Sequence, residues 1–191
     1  MNWEDEGYLL SKKNYNENSI IIEIFTANHG KCKGIVYGGS SRKQKRIIQI
    51  GNKFFFNWKA KNEHKIGYFN IELIKPISPQ FFEDKRKTTS ILSSVTILNS
   101  LLPEGQVNKK IYLLYEDFLN KLNSENWIEN YVSWELSLVK ELGFGNYDSK
   151  ITNFGIKQAL NFSKSLLNDN LFAPNRIQLP LSRHILEKYY N

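Results

Sequence analysis

Cysteine and histidine are scarce in this sequence of 191 residues. The single cysteine, Cys32, excludes an internal disulfide and every zinc site that is built from two or more thiolates. The three histidines, His29, His64 and His184, lie far apart along the chain, which argues against a structural metal site. We therefore expect a protein without metal or other cofactor, kept reduced in the cytoplasm.

Long apolar runs and catalytic motifs are also missing. No run of eighteen apolar residues occurs, so the sequence offers no membrane span, and the first residues do not have the pattern of a secretory signal. The motifs GxxxxGKS/T, GxSxG and HExxH are absent. The acidic residues Glu4–Glu6 lie at the start of the chain, so we expect a solvated segment rather than a magnesium site. Catalytic constellations are therefore sparse in this sequence.

Positive charge is abundant and concentrated. The 26 Lys/Arg and 19 Asp/Glu residues give a formal net charge of +7. Positions 31–65 contain ten basic residues and one acidic residue, so this window alone carries +9. Such a concentration predicts a surface that binds a polyanion such as nucleic acid, although a solvated surface that maintains solubility is the alternative. Lysine supplies 21 of the 26 cations, which favours contacts to phosphate backbones over contacts to base edges.

The first 76 residues have the pattern of a small β-barrel. Segments rich in β-branched and aromatic residues alternate with turns such as Asn28–Gly30, whose Asn and Gly tolerate positive φ. A flexible basic loop is expected at 42–46, and a turn is expected at Lys61–His64. Five strands in about 70 residues favour an OB-fold, the five-stranded barrel that binds oligonucleotides. The predicted strands are 7–12, 19–26, 31–37, 47–59 and 66–74.

From Phe81 onward the spacing of apolar residues becomes helical. Gly143 is expected to end the third helix in the left-handed conformation. Pro76 and Pro79 follow the last strand, so the sequence predicts an OB domain at 1–76 and a helical bundle domain at 77–191. The predicted fold class is α+β, an N-terminal five-stranded OB-fold barrel followed by an all-α helical domain. The predicted helices are 88–102, 109–122, 124–142, 155–167 and 181–190.

Candidate nucleic-acid contacts follow from charge and strand alternation. Side chains at positions i and i+2 share a face of a strand, so Phe54, Phe56 and Trp58 are expected inside the barrel and Phe55 outside. An exposed aromatic ring can stack on a base while neighbouring lysines contact phosphates. Charge reversal at 42, 43, 45 and 46 is therefore predicted to weaken binding without unfolding the protein. The candidate contacts are Lys31, Lys33, Tyr37, Arg42, Lys43, Lys45, Arg46, Lys53, Phe55 and Lys59.

Several segments resemble the RecO family of bacterial recombination mediators. The resemblance covers the chain to about residue 148, and it depends on the order and spacing of the segments rather than on any single motif. The segments are WEDEGYLL at 3–10, HGK at 29–31, VYGG at 36–39, ELI at 72–74, WEL at 134–136 and ELGF at 141–144.

The resemblance implies a DNA repair protein that is not an enzyme, in the bacterial cytoplasm and associated with the nucleoid. RecO proteins bind single- and double-stranded DNA and anneal complementary strands that are coated with single-strand-binding protein (SSB). They also work with RecR to load RecA. The acidic, hydrophobic tail of SSB would need apolar walls and a cation, which the resemblance places in the helical domain. The candidate cations are Lys85, Arg86, Lys87 and Arg183, with ordinary helix-surface charge as the alternative.

The sequence departs from many family members between Asn146 and Asn153. Those members carry a cysteine-bearing zinc module before the last helices, and this segment has no cysteine, so we expect the module to be missing. Two other functions remain open, an RNA-binding OB-fold protein and a protein–protein adaptor whose barrel binds no nucleic acid. Competition between single-stranded DNA and RNA separates the first alternative from DNA binding, and salt-dependent oligonucleotide binding separates both from the adaptor.

Overall fold

The computed structural model describes residues 1–61, 66–145 and 154–190. The predicted turn at Lys61–His64, apart from Lys61, and the connection from Asn146 to Asn153 lie outside these residues. The strands are β1 (Asn2–Asn14), β2 (Ser19–Thr26), β3 (Gly30–Tyr37), β4 (Lys53–Lys59) and β5 (Gly67–Lys75). The α-helices are α1 (Arg42–Ile47), α2 (Lys85–Leu101), α3 (Lys109–Asn120), α4 (Trp127–Glu141), α5 (Ile156–Leu167) and α6 (Leu181–Lys188). A π-helical turn follows α5 at Asn168–Phe172.

The five strands close into a barrel in the order β1-β2-β3-β5-β4. Neighbouring strands are antiparallel except β3 and β5, which pair in parallel through Gly34 with Gly67 and Ile35 with Tyr68. Closure pairs both edges of each strand, which protects the backbone groups that an open sheet would expose. A barrel followed by helices is the predicted fold class, and the structure confirms it.

The barrel core follows the alternation along the strands. Phe54 and Phe56 are buried as predicted, and Trp58 packs against the same cluster. The ring of Phe69 on β5 lies 5.5 Å from the ring of Phe56, in an edge-to-face arrangement. Gly67 leaves room for the indole, because a Cβ at this position would lie 2.3 Å from the ring of Trp58. Large aromatic side chains therefore fill the barrel, and a glycine opposite them avoids a steric clash.

β1 begins earlier than predicted, at Asn2 instead of Gly7. The expectation of a solvated acidic segment at Glu4–Glu6 is wrong for Asp5, which is only 8% exposed. Its carboxylate accepts a hydrogen bond from the Asn28 backbone N–H at 2.9 Å and lies 3.1 Å from Nδ1 of His29. The acidic residue therefore contributes to the fold by joining the β2–β3 turn to β1.

β4 is shorter than predicted, because Ile47–Asn52 do not belong to it. Arg42–Ile47 form a helix, α1, where a flexible loop was expected. The Oγ of Ser41 caps this helix by accepting a hydrogen bond from the Gln44 N–H at 3.3 Å, and Arg, Lys and Gln all favour helices. Gly51, with φ of +84°, then turns the chain into β4. The hydroxyl cap and the glycine turn explain why the strand pattern stops here.

The chain divides into two compact units. The first contains Met1–Thr88 and Leu102–Lys109, and the second contains Thr89–Leu101 and Lys110–Asn191. The domain boundary between 76 and 77 stays a prediction. Among the helices of the described residues, none has both the length and the apolar composition that crossing a membrane requires.

The second unit has the aromatic core that its helical spacing predicts. The ring of Phe118 on α3 lies 5.6 Å from the ring of Trp134 and 5.5 Å from the ring of Tyr131, both on α4. Gly143 ends α4 with φ of +98°, as predicted. Contacts between rings at these distances stabilise the packing of α3 on α4 beyond the burial of apolar area.

Candidate nucleic-acid interface

Four cations of the predicted interface lie on α1. Arg42, Lys43, Lys45 and Arg46 are all exposed, and the helix buries none of its six residues. Its first turn contains no acidic residue. A helix without buried side chains adds little to a hydrophobic core, so its main physical effect is to present positive charge to solvent.

A groove of about 360 Å³ lies beside α1, where β1 ends and β2 begins. The ammonium group of Lys12 donates a hydrogen bond to the Ile48 carbonyl at this groove. Burial and then the nearby charge of Lys45 lower the pKa of Lys12. Of the seven lining residues that the structure describes, three are cations and none is acidic. The groove is lined by Lys12, Lys13, Asn14, Ile20, Gly39, Lys45 and Ile48.

The sequence did not single out Lys12 and Lys13. Two consecutive lysines at the end of a strand are a visible signal, but a solvated strand end has the same pattern. Lys12 and Lys13 join a larger cluster of positive charge only because α1, about thirty positions later in the chain, folds beside them. We name the combined set of α1 and groove cations the α1 surface, which consists of Lys12, Lys13, Arg42, Lys43, Lys45 and Arg46.

Tyr37, at the end of β3, is 65% exposed. The centre of its ring lies 5.8 Å from that of Tyr68 on β5. Tyr68 is paired across strands with Lys59 of β4. The structure therefore brings two aromatic rings and one predicted cation together on the outside of the barrel. The sequence did not indicate Tyr68, because its proximity to Tyr37 depends on the parallel pairing of β3 and β5.

The two lysines of β3 lie beside acidic residues. Lys33 is exposed and lies opposite Glu23 of β2. Lys31 is half-buried and forms a parallel β-bridge with Glu104, and its carbonyl accepts the Gly105 N–H at 2.8 Å. The positive charge is therefore weaker here than on the α1 surface.

Lys53 and Phe55 do not suit the predicted interface. The Lys53 ammonium lies 3.0 Å from the Glu6 carboxylate, and its side chain is 17% exposed. Phe55 points outward as predicted, but its partners on the two neighbouring strands are Glu6 and Glu72. Carboxylates beside the ring repel phosphates, and the ion pair already neutralises the lysine. We correct the predicted interface by leaving out both residues.

Arg183 was a candidate cation for a partner peptide, and this prediction is wrong. Its side chain is completely buried, and its Nε and Nη2 donate to the two carboxylate oxygens of Glu135 at 2.6 and 3.1 Å. Burial alone would lower the pKa of Arg183, but the charge and hydrogen bonds of Glu135, together with the charges of Tyr131 and Glu187, raise it above its ordinary value. An enclosed, paired guanidinium cannot reach a peptide on the surface.

The other three candidate cations lie at the start of α2. Lys85 and Arg86 are exposed, and Lys87 is half-buried. The Asp84 carboxylate caps the helix by accepting the N–H groups of Arg86 and Lys87 at 3.0 and 3.2 Å. Phe82, just before the cap, is 64% exposed. An exposed ring and three cationic side chains therefore lie along this segment, with Glu83 and Asp84 between them.

Cys32 and His29 form no catalytic pair. The thiol donates a hydrogen bond to the backbone carbonyl of His29 at 3.2 Å, and the imidazole stacks on Trp3 with ring centres 4.1 Å apart. Burial, with the charges of Glu104 and Asp5, raises the pKa of Cys32 to about 12. A thiol with this pKa stays protonated at neutral pH and is a poor nucleophile. In the part of the chain that the structure describes, no group of three or more His, Cys, Asp or Glu could hold a metal ion.

The closed five-stranded barrel with a following helical unit defines an OB-fold protein with an additional α-helical part. The sequence profile "Recombination protein O N terminal" matches residues 1–77. The profile "Recombination protein O C terminal" matches residues 83–147. The chain belongs to the RecO family of DNA repair proteins, as the resemblance predicted.

Individual relatives agree with the profiles. The DNA repair protein RecO of Wolbachia pipientis subsp. Culex pipiens (strain wPip) is 35% identical over 164 residues, which cover 85% of this chain and 67% of the relative. That of Jannaschia sp. (strain CCS1) is 34% identical over 162 residues, covering 85% and 66%. That of Ehrlichia chaffeensis (strain Arkansas) is 36% identical over 147 residues, covering 76% and 59%. The chain therefore spans about two thirds or less of the length of these relatives.

Proposed function

We propose that this protein binds single- and double-stranded DNA through the α1 surface and anneals complementary strands. One observation carries the proposal: six cations gather on α1 and beside it, and among the described residues none of those in α1 or in the lining of the groove is acidic. Each cation that neutralises a phosphate releases a condensed counterion, which makes binding favourable at low salt. Membership of a family of DNA repair proteins identifies DNA as the polyanion to test first.

Two tyrosines on the outside of the barrel are the proposed contacts to bases. Tyr37 and Tyr68 could stack on unpaired bases while Lys59 contacts a phosphate. Stacking contributes about 1–3 kcal/mol per base and tolerates any sequence, because every base has an aromatic face. Binding without sequence preference is what annealing requires, since base pairing between the two strands then supplies the specificity.

Annealing follows from electrostatics and needs no chemical step. Two DNA strands repel one another, and a protein that carries several exposed cations screens this repulsion while the first base pairs form. The proposed role is therefore that of a mediator rather than an enzyme. Together with RecR, it would help RecA to load onto SSB-coated single strands.

The SSB tail is the proposed partner of the segment before and at the start of α2. Phe82 offers an exposed apolar face, and Lys85, Arg86 and Lys87 offer cations to an acidic peptide. The Asp84 carboxylate, which caps the amino-terminal end of α2 and lies 3.9 Å from Nε of Arg86, offsets part of this positive charge. This assignment and those of RecR and RecA are made for a chain that spans about two thirds of its relatives' length.

The test is DNA binding and annealing by a charge-reversal variant. Replacing Arg42, Lys43, Lys45 and Arg46 by Glu is expected to weaken binding of a fluorescent single strand at least tenfold, because about four phosphate contacts become repulsive. Fluorescence anisotropy measures the affinity, and annealing of SSB-coated complementary strands measures the activity. Circular dichroism and thermal unfolding check that the variant is folded.

A matched control variant changes the net charge by the same amount as the charge-reversal variant of α1. Lys110, Lys140, Lys157 and Lys188 are exposed and lie in the second unit, so their replacement by Glu is expected to change affinity far less. Equal losses in the two variants would reject the α1 surface as the contact. Preference for RNA over DNA of the same sequence would favour the RNA-binding alternative, and no binding to any oligonucleotide would favour the adaptor.

A further inference from the structure

We propose that the groove beside α1 binds a phosphate monoester dianion, the group found at the 5′ end of a DNA strand and on free mononucleotides. The inference rests on the proposed DNA binding and adds to it the place where a strand end is held. Lys12, Lys13 and Lys45 supply the charge, and Ile20 and Ile48 supply an apolar wall.

The position of one ammonium group is already defined. Lys12 donates a hydrogen bond to the Ile48 carbonyl, and an ammonium group has three donors, so this contact occupies one of them. The side chain is half-buried, which limits its freedom before any ligand arrives. A preorganised cation loses less conformational entropy on binding than a fully solvated lysine.

The charges in the groove favour a doubly charged ligand. Lys12 and Lys45 are close enough for their charges to repel, and this repulsion adds to the effect of burial in lowering the pKa of Lys12. An anion between the two ammonium groups removes that repulsion. A phosphate monoester carries a charge of about −1.5 to −2 at neutral pH, whereas each diester of the strand interior carries a single negative charge. The electrostatic attraction to the two ammonium groups is therefore stronger for the strand end.

The size of the groove favours a strand end over a passing strand. A volume of about 360 Å³ lies at the lower end of the range for small-molecule sites, so the groove suits a single nucleotide. Gly39 lines one side of the groove, where the backbone packs closely against Ile20. A Cβ at position 39 would lie 2.6 Å from Cγ1 of Ile20. The chain after β3 therefore approaches β2 closely at the groove.

The experiment compares single strands that differ at the 5′ end. Anisotropy titrations use a 3′-labelled strand with a 5′-phosphate and a 5′-hydroxyl strand that is two nucleotides longer, so that the total charge is matched. The wild-type protein is expected to bind the phosphorylated strand about tenfold more tightly, the effect of about one charge-assisted hydrogen bond. Lys12→Met and Lys45→Met are expected to reduce this ratio below twofold.

Lys43→Met is the control on the same helix. Lys43 does not line the groove, so this variant is expected to weaken binding of both strands and to keep their ratio. Lys45 is exposed, so Lys45→Met tests the groove without disturbing the packing of the barrel. Competition by deoxyadenosine 5′-monophosphate separates the two sources of the monoester: loss of the preference shows that free nucleotides enter, and its persistence restricts the groove to strand ends.

Two results would overturn the inference, and they are distinguishable. Equal affinity of the wild-type protein for the two strands removes the monoester site and leaves DNA binding intact. Failure to bind either strand removes the proposed function together with the inference. Retention of the tenfold preference in both Lys12→Met and Lys45→Met would place the monoester elsewhere and overturn the assignment to this groove.

Discussion

At the scale of single residues, Asp5 shows how a carboxylate can hold a barrel together. It accepts hydrogen bonds from the backbone and side-chain N–H groups of Asn28 at 2.9 and 3.0 Å and lies beside His29. Burial alone would raise the pKa of Asp5, but the hydrogen bonds from Asn28 and His29 favour the carboxylate. Together they place its pKa below the ordinary value of 3.8.

Asp5 therefore makes stability depend on pH in the acidic range. A depressed pKa in the folded state contributes stability that is fully present above the unfolded pKa near 3.8 and is lost as the pH falls through the folded pKa. Asp5→Asn is expected to lower the free energy of unfolding at pH 7 by about 1–3 kcal/mol. It should also flatten the pH dependence below about pH 4, which urea unfolding at pH 7, 4 and 3 measures.

Glu17→Gln is the control for this prediction. Glu17 is exposed, and its replacement is expected to change the free energy of unfolding by less than about 0.5 kcal/mol. An Asp5→Asn variant as stable as the wild type at pH 7 would show that the hydrogen bonds of Asp5 add nothing to stability.

At the scale of secondary-structure elements, one buried ion pair links three helices. Arg183 of α6 binds Glu135 of α4, and its Nη2 also donates to the Leu160 carbonyl of α5 at 2.7 Å. Glu135 accepts further hydrogen bonds from the hydroxyls of Tyr131 and Ser163 at 2.7 and 2.6 Å. The pair therefore specifies how α4, α5 and α6 pack rather than presenting charge to a partner.

Removing one member of this ion pair should destabilise the folded protein. Arg183→Met leaves the Glu135 carboxylate buried without its cation, so we expect the free energy of unfolding to fall by about 3–5 kcal/mol. The double variant Arg183→Met, Glu135→Leu should recover part of this loss, because no buried charge remains unpaired. Urea unfolding measures both.

Arg176→Met is the matched control, since Arg176 is exposed and the chemical change is the same. Its effect should stay within about 0.5 kcal/mol. A loss below about 1 kcal/mol in Arg183→Met would contradict a structural role for the ion pair.

At the scale of the whole molecule, the net charge of +7 does not show how strongly positive charge is concentrated on the α1 surface. Several acids of the first unit are bound to specific partners or lie next to β3, as Glu6, Glu23 and Glu104 do. In the described part of the chain, the cations of the α1 surface have no acidic neighbour within α1 or the lining of the groove. The field that a polyanion would meet is therefore set by placement more than by the total charge.

The salt dependence of DNA binding should report this placement. Replacing the four cations of α1 by Ala is expected to reduce the slope of log K against log salt by about 3, because each phosphate contact to a single strand contributes about 0.7. Anisotropy titrations between 50 and 300 mM salt measure the slope. An unchanged slope would mean that these side chains do not contact phosphates.

Local pattern was sufficient for much of this fold. Alternation placed Phe54 and Phe56 inside the barrel, and the helical period located most of the helices within a few residues. Local pattern gave the wrong prediction at α1. There the capping hydroxyl of Ser41 and good helix formers produce a helix in a segment that resembles a basic loop. Local pattern also failed at Arg183, because a charged residue on a short helix has the same local pattern whether it is exposed or paired with a distant acid.

The sequence by itself therefore determined the order of the five strands and of the helices that follow the barrel, the alternation inside the barrel and the excess of positive charge, since each depends on neighbouring residues. Only the tertiary structure decided which cations share a surface and which are neutralised. Lys12 and Lys45 line the same groove, and Lys53 and Arg183 form ion pairs with Glu6 and Glu135. In each case the two residues are far apart in the chain. Burial and ion pairing are properties of such contacts, and local sequence pattern does not contain them.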